Sequence, residues 1–131
     1  GYLEEEIVTA HDLIKNHIDK PLVVVRTEEL ASHAIDRIRK YKISQIPVID
    51  TTGFVGSLED VDLFNAFVNN SNVADTPIKD LMRKPYPVVS LQTKVEEVAK
   101  LITKDNNAVL VDLGNGKHHI ITKYDIIDNI K

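Results

Sequence analysis

Two segments of the chain follow the same pattern, and this duplication constrains the fold more than any other feature. Residues 56–63 (GSLEDVDL) and residues 119–126 (HIITKYDI) each run from apolar strand-forming residues into a helix with an aspartate in its first turn. The two segments lie 63 positions apart. Self-similarity at a fixed spacing is typical of a structural unit that is used more than once. The sequence therefore predicts one unit in two copies.

The composition narrows the class of protein. Apolar residues make up 43% of the 131 residues and charged residues 27%, which are globular values. No apolar run approaches the roughly 18 residues that cross a bilayer. Acidic residues number 20 against 16 scattered basic ones, which differs from the cationic surface of a nucleic-acid binder. We expect a soluble protein with neither nucleic acid nor a membrane as a partner.

Two absences bear on location and completeness. The chain has no cysteine, which removes disulfides, thiolate metal sites and cysteine nucleophiles and suits the cytoplasm. We therefore expect a cytoplasmic protein. Its only methionine is Met82, and it begins at Gly1. We expect it to be a fragment of a longer polypeptide.

The first copy is predicted to form a strand, a helix, two strands and a second helix. A β-branched run at 21–25 and apolar residues at 46–50 and 54–58 predict the strands, with a turn at 51–53. Apolar residues recur at helical spacing after the first strand. These residues are Leu30, Ala34, Ile38 and Tyr41. The second helix is expected to begin near Glu59 and to bury Val61, Phe64, and Ala66 or Phe67.

The second copy repeats this order. Strands are predicted at 86–90, 108–112 and 118–122, with a turn at 113–116. Thr93 is expected to cap a helix, with Glu96 completing a capping box. A last helix is predicted from Lys123 to Ile130.

The chain is predicted to be an α+β protein in which the two copies pack as a pseudo-two-fold pair, because each copy alone buries little surface. We expect the first copy at 20–69, a linker at 70–84 and the second copy at 85–131. Residues 1–19 carry three apolar residues and a histidine at helical spacing and are expected to form a helical linker segment that packs on the module or on a partner. The residues at that spacing are Leu3, Ile7, His11 and Ile14.

Residues 43–50 (ISQIPVID), followed by the glycine-to-aspartate segment at 56–62, resemble a repeat of the CBS-domain family. From about Lys20 onward the chain resembles a tandem CBS-domain, or Bateman, module. Its head, Gly1–Glu6, also resembles the segment that follows the catalytic domain of cystathionine β-synthases. The resemblance implies a regulatory domain of such a pyridoxal-phosphate-dependent enzyme, a homodimer, and a bound adenosine-type ligand such as S-adenosylmethionine, AMP or ATP.

The second copy carries the residues best suited to that ligand. A carboxylate such as Asp125 can accept hydrogen bonds from both ribose hydroxyls. The hydroxyl of Thr122, beside unpaired helix N–H groups, suits a phosphate or carboxylate. The resemblance implies that Tyr124 flanks the ribose and that the first copy completes the pocket around the adenine. The residues implied there are Ile43, Gln45, Ile46 and Pro47, with Val24 along the edge.

A second, weaker pocket is expected at Asp62. Glu59 stands where the second copy has Thr122, and its charge disfavours AMP or ATP. The resemblance places Asn107 and Ala108, next to Asn106, opposite this pocket. In the second copy His119 occupies the usual glycine position, with His118 beside it, and its imidazole is expected to crowd the ligand or to bond to it.

Several alternatives stay open. Thr122 and Asp125 also fit an ordinary capping box without a ligand. The module can be a ligand-free structural unit that sets the oligomeric state of its parent protein. An amino-acid sensor of the ACT type fits less well, because each copy here ends in a helix. Neighbouring strand residues such as His118 and His119 point to opposite faces, so we expect no metal site. We also expect no catalytic residues in this chain.

Overall fold

The computed structural model describes residues 7–130, which form two compact units. One unit comprises residues 23–86, and the other comprises the chain up to Leu22 together with the chain from Pro87 onward. Each unit therefore contains one copy of the repeat. The head segment Gly1–Glu6, which includes Leu3, lies outside the described residues, and so does Lys131.

The unit at 23–86 contains a three-stranded sheet with two helices. Its elements are β1 (Val25–Arg26), α2 (Ala31–Tyr41), β2 (Gln45–Asp50), β3 (Gly53–Glu59) and α3 (Asp60–Asn69), followed by 3₁₀ turns at Val73–Asp75 and Ile78–Asp80. β1 runs parallel to β2, and β2 pairs with β3 as an antiparallel hairpin. The core residues of this unit include Val25, Ile46, Val48, Leu58 and Ile78, all fully buried.

The other unit repeats this arrangement. Its elements are α1 (Ala10–Ile14), β4 (Val88–Ser90), α4 (Val95–Leu101), β5 (Ala108–Gly114), β6 (Lys117–Thr122) and α5 (Lys123–Ile127). β4 is parallel to β5, and β5 and β6 form an antiparallel hairpin. The predicted α+β class and the twofold strand-helix-strand-strand-helix order are confirmed, although β1 and β4 are shorter than predicted.

Each unit is completed by a segment that is distant in sequence from the rest of that unit. We call the unit at 23–86 the first unit and the other the second unit, after the repeat that each contains. In the second unit, the Ala10 N–H donates to the carbonyl oxygen of Thr93 at 2.8 Å. In the first unit, the Ala31 N–H donates to the carbonyl oxygen of Thr76, also at 2.8 Å. The segment before the first repeat thus packs on the second repeat, and the segment between the repeats packs on the first.

Two local predictions are wrong. On α3 the buried residue is Leu63, and Ala66 is partly buried against the core as predicted, whereas Val61, Phe64 and Phe67 are exposed. The apolar residues of α3 surround most of the helix, and the side that carries Leu63 packs in the core of its own unit. Nothing in the helix spacing selects that side.

The second error concerns the start of α4. This helix begins after Lys94 rather than after Thr93. The Thr93 hydroxyl instead accepts a hydrogen bond from the Ser90 N–H at 3.2 Å and closes the turn after β4.

Within residues 7–130 no helix has both the length and the apolar character needed to cross a membrane.

Candidate functional site

Asp125 lies in the first turn of α5, where it caps the helix. Its Oδ2 accepts a hydrogen bond from the Thr122 N–H at 2.8 Å. Its Oδ1 lies 3.7 Å from Nε2 of His17, beyond hydrogen-bond distance, and accepts no hydrogen bond from any residue in 7–130. The side chain is 20% exposed. One oxygen therefore holds the helix start, and the other can accept hydrogen bonds from a ligand.

The neighbours of Asp125 include the other residues predicted for the ribose and its polar substituent. Thr122 is the N-cap residue of α5 and is half-buried. Tyr124 is 60% exposed, with Nζ of Lys123 5.3 Å from its ring centroid. The predicted set of Thr122, Tyr124 and Asp125 is thus brought together at the start of one short helix.

The residues predicted to contact adenine lie in the unit at 23–86, where they are neighbours of one another. Val24 precedes β1, and the residues from Ile43 to Pro47 enter β2, which pairs with β1. Ile43, Gln45 and Val24 are half-buried. Ile46 and Pro47 are fully buried, and the Ile46 side chain belongs to the core of this unit. Their contact with a ligand stays a prediction.

The aspartate of the first repeat has a different environment. Asp62 Oδ2 accepts a hydrogen bond from the Glu59 N–H at 2.9 Å, which repeats the capping arrangement of Asp125. Asp62 Oδ1 accepts a hydrogen bond from Arg83 Nε at 2.8 Å, and Nη2 of the same guanidinium lies 2.7 Å from Oδ1 in an ion pair. This carboxylate raises the pKa of the Arg83 guanidinium. Both oxygens of Asp62 are therefore engaged within its own unit.

Glu59, beside it, is buried, with 2% of its surface exposed. The Tyr86 hydroxyl donates to Glu59 Oε2 at 3.1 Å. Burial raises the pKa of Tyr86, and the nearby charge of Glu59 raises it further.

The other copy was predicted to line this pocket with Asn107 and Ala108. Asn107 is half-buried and Ala108 is fully buried. The side chain of the neighbouring Asn106 donates to the carbonyl oxygen of Leu101 at 2.7 Å.

The prediction from sequence missed Arg83 and Tyr86. Arg83 lies in the predicted linker at 70–84, a polar segment with no periodic pattern to indicate what it contacts, and Tyr86 lies at the start of the strand predicted after it. The one signal present was the position of Arg83 next to the short turn that leads into the second repeat.

His119 is buried and bonds to the main chain. Its Nδ1 accepts from the Ile120 N–H at 2.9 Å, so Nε2 carries the ring proton and donates it to the carbonyl oxygen of His17, also at 2.9 Å. Both ring nitrogens are thus engaged in the second unit. Within residues 7–130 no three histidine, aspartate or glutamate side chains are grouped to hold a metal ion.

Comparisons with known proteins agree with this architecture. A family model of the CBS domain matches residues 14–69 and 78–131. No curated protein sequence is significantly similar to the chain. Among solved structures, a CBS-domain-containing protein from Agrobacterium tumefaciens is 18% identical, with a TM-score of 0.81 over 98% of this chain and 97% of that chain.

Two further structures extend the comparison. A CBS-domain protein from Thermoplasma acidophilum is 21% identical, with a TM-score of 0.73 over 96% of this chain and 71% of that chain. The protein CBSX2, solved in complex with AMP, is 25% identical, with a TM-score of 0.69 over 92% of this chain and 93% of that chain.

Proposed function

Because the chain belongs to the CBS-domain family, we propose that it is a regulatory module that binds an adenosine-type ligand such as S-adenosylmethionine, AMP or ATP. The observation that carries this proposal is the hydrogen bonding of the two carboxylate oxygens of Asp125. Its Oδ2 caps α5, while its Oδ1 accepts no hydrogen bond within residues 7–130, and the side chain as a whole is 20% exposed. A ribose hydroxyl suits such an oxygen, since a hydrogen bond to a charged acceptor contributes about 1.5 to 3 kcal/mol.

The roles of the other predicted residues are part of the same proposal. Thr122 offers its hydroxyl to a phosphate or carboxylate, and the exposed ring of Tyr124 flanks the ribose. The segment from Ile43 to Pro47, with Val24, contacts the adenine. The similarity to CBSX2, whose structure contains AMP, supports an adenine nucleotide as the first ligand to test.

Regulation requires that the ligand binds one arrangement of the protein more tightly than another. A coupling of about 1 to 3 kcal/mol, or roughly 5- to 150-fold, is typical. We propose that the regulated partner is an attached catalytic domain, such as a pyridoxal-phosphate-dependent lyase of the cystathionine β-synthase type, and that the protein acts in the cytoplasm. A pyridoxal-phosphate fold upstream of Gly1 in the same polypeptide would support this part of the proposal.

Calorimetric titration with AMP, ATP and S-adenosylmethionine tests ligand binding. The wild-type chain is expected to bind at least one of them, and its melting temperature is expected to rise by several degrees. A ligand at a hundred times its Kd adds about 2.7 kcal/mol of stability. Asp125→Ala is expected to abolish this rise. Asp128→Ala removes an exposed carboxylate three positions later and is the matched control.

The second candidate function is a ligand-free module that pairs and sets the oligomeric state of its parent protein. The exposed apolar side chains of α3 favour it, because Val61, Phe64, Phe67 and Val68 are between 42% and 66% exposed. Absence of binding by all three ligands at millimolar concentration, together with a stable dimer, would support this candidate over the first.

A further inference from the structure

The two repeats build the same aspartate but use it differently. In each repeat, one carboxylate oxygen accepts the N–H of the residue that caps the helix, Glu59 for Asp62 and Thr122 for Asp125. The other oxygen of Asp62 is held by Arg83 at 2.7 and 2.8 Å, whereas the other oxygen of Asp125 has, within the described part of the chain, only His17 at 3.7 Å. The two carboxylates differ because the segment distant in sequence supplies Arg83 to Asp62 in the first unit, but only the ring of His17 near Asp125 in the described part of the second.

Main-chain pairing fixes Arg83 beside Asp62. The Ser57 N–H donates to the Arg83 carbonyl oxygen at 3.0 Å, and the Arg83 N–H donates to the Ser57 carbonyl oxygen at 2.8 Å. The Ser57 hydroxyl adds a bond of 2.7 Å to the carbonyl oxygen of Lys84. The guanidinium therefore extends from a segment with three hydrogen bonds to β3, and it is 33% exposed.

This pairing depends on Gly56. A Cβ there would lie 2.6 Å from Sδ of Met82 and 2.9 Å from the carbonyl oxygen of Arg83. The position 63 residues later is His119, which has a buried side chain in place of the glycine. There the Ile120 N–H donates to the His119 ring instead of to a neighbouring segment. Among residues 7–130, no isolated strand bridge of the second unit corresponds to the pairing of Ser57 with Arg83 in the first.

We propose that Arg83 is an internal occupant of the first repeat's carboxylate, so that the module binds one adenosine-type ligand per chain, at Asp125. The inference rests on the proposed function and adds its stoichiometry and the residue that sets it. A ribose at Asp62 would have to break a charge-assisted hydrogen bond and an ion pair, and would leave a guanidinium without its carboxylate. Glu59, buried beside Asp62, adds a second negative charge against a phosphate.

Calorimetric titration of the 131-residue chain with AMP and with S-adenosylmethionine tests the proposal. One equivalent of ligand is expected per chain. Asp125→Asn is expected to weaken binding by more than about tenfold, because a hydrogen bond to a charged acceptor is lost. Asp62→Asn is expected to leave the Kd within about twofold and the stoichiometry at one. Two equivalents for the wild type, or equal losses in the two variants, would overturn the inference.

A nuclear magnetic resonance measurement covers the case in which Asp62→Asn fails to fold. The Nε–H signal of Arg83 in the wild-type chain is assigned with Arg83→Gln and is expected to stay unchanged when AMP saturates the protein. Movement of this signal in step with AMP binding would show that the ligand displaces Arg83 and would overturn the inference. A wild-type chain that binds neither probe overturns the proposed function itself, and the inference falls with it.

Discussion

Nε2 of His119 donates a hydrogen bond of 2.9 Å to the carbonyl oxygen of His17, a residue 102 positions earlier in the chain. The bond joins β6 to the segment that follows α1, so it helps to hold the N-terminal segment on the second repeat. The same segment places the His17 ring near Asp125. A residue at a position that resembles a family glycine therefore has a structural role here.

We expect His119→Ala to destabilise the chain by about 1 to 3 kcal/mol. The substitution removes the present partners of the Ile120 N–H and the His17 carbonyl, both of which make part-buried hydrogen bonds, and an unsatisfied polar group away from water costs about this much. Urea denaturation gives the free energy of unfolding. His118→Ala, at the neighbouring position on the opposite face of β6, is the control and is expected to cost less. Equal effects of the two substitutions would contradict the role assigned to His119.

Gly56→Ala is expected to destabilise the first unit by about 1 to 3 kcal/mol, as overpacking in a tight site does. The added Cβ would meet Sδ of Met82 and the Arg83 carbonyl oxygen. Met82 can move, but the main-chain oxygen is held by its bond to the Ser57 N–H.

A double-mutant cycle measures this restraint. Met82→Ala alone gives the cost of the lost side chain, and Gly56→Ala in that background is expected to remain destabilising. Urea denaturation of the four proteins provides the values. A neutral Gly56→Ala in the Met82→Ala background would mean that the segment at Arg83 shifts easily, which contradicts the fixed placement of Arg83.

The order of strands and helices was predictable from the sequence because alternation and helical spacing are local patterns. The same holds for Asp125, whose helix start is marked by Thr122 three positions earlier. The contact of Arg83 with Asp62 joins residues 21 positions apart across a polar segment. No local pattern encodes such a contact. Phe64 was misassigned for a related reason, since an apolar residue on a helix does not reveal which surface covers it.

Glu29 and Arg37 provide a pH-dependent contribution to stability. Two parallel hydrogen bonds of 3.0 and 2.9 Å join the guanidinium to the carboxylate, and the Arg26 N–H donates a third to Glu29. These bonds hold the pKa of Glu29 below its usual 4.5. A carboxylate with a depressed pKa in the folded state stabilises the protein above the unfolded pKa, and this contribution is lost as the pH falls through the folded value.

Arg37→Gln is therefore expected to cost about 1 kcal/mol at neutral pH, since the pair is partly exposed. The difference from the wild type is expected to shrink as the pH falls below 4.5. Urea denaturation at neutral pH and at about pH 3 measures both values. Arg39→Gln, at an exposed position on the same helix, is the control. A cost for Arg37→Gln that stays constant over this range would exclude the proposed linkage to Glu29.

The exposed apolar side chains of α3 lead to a prediction about pairing. Phe64 and Phe67 are 65% and 55% exposed in the chain alone, which is unusual for neighbouring large apolar residues on one helix. We expect the chain to form a homodimer that covers them. Phe64→Glu is then expected to shift the dimer toward monomer, because pairing would bury an unpaired carboxylate. The monomer's own stability is expected to change little, since the Phe64 side chain lies outside the core.

Sedimentation equilibrium gives the dissociation constant of the dimer. The control is Asn65→Glu, which adds the same charge at the next position, a polar and exposed one. A dimer that tolerates both substitutions equally must pair through another surface.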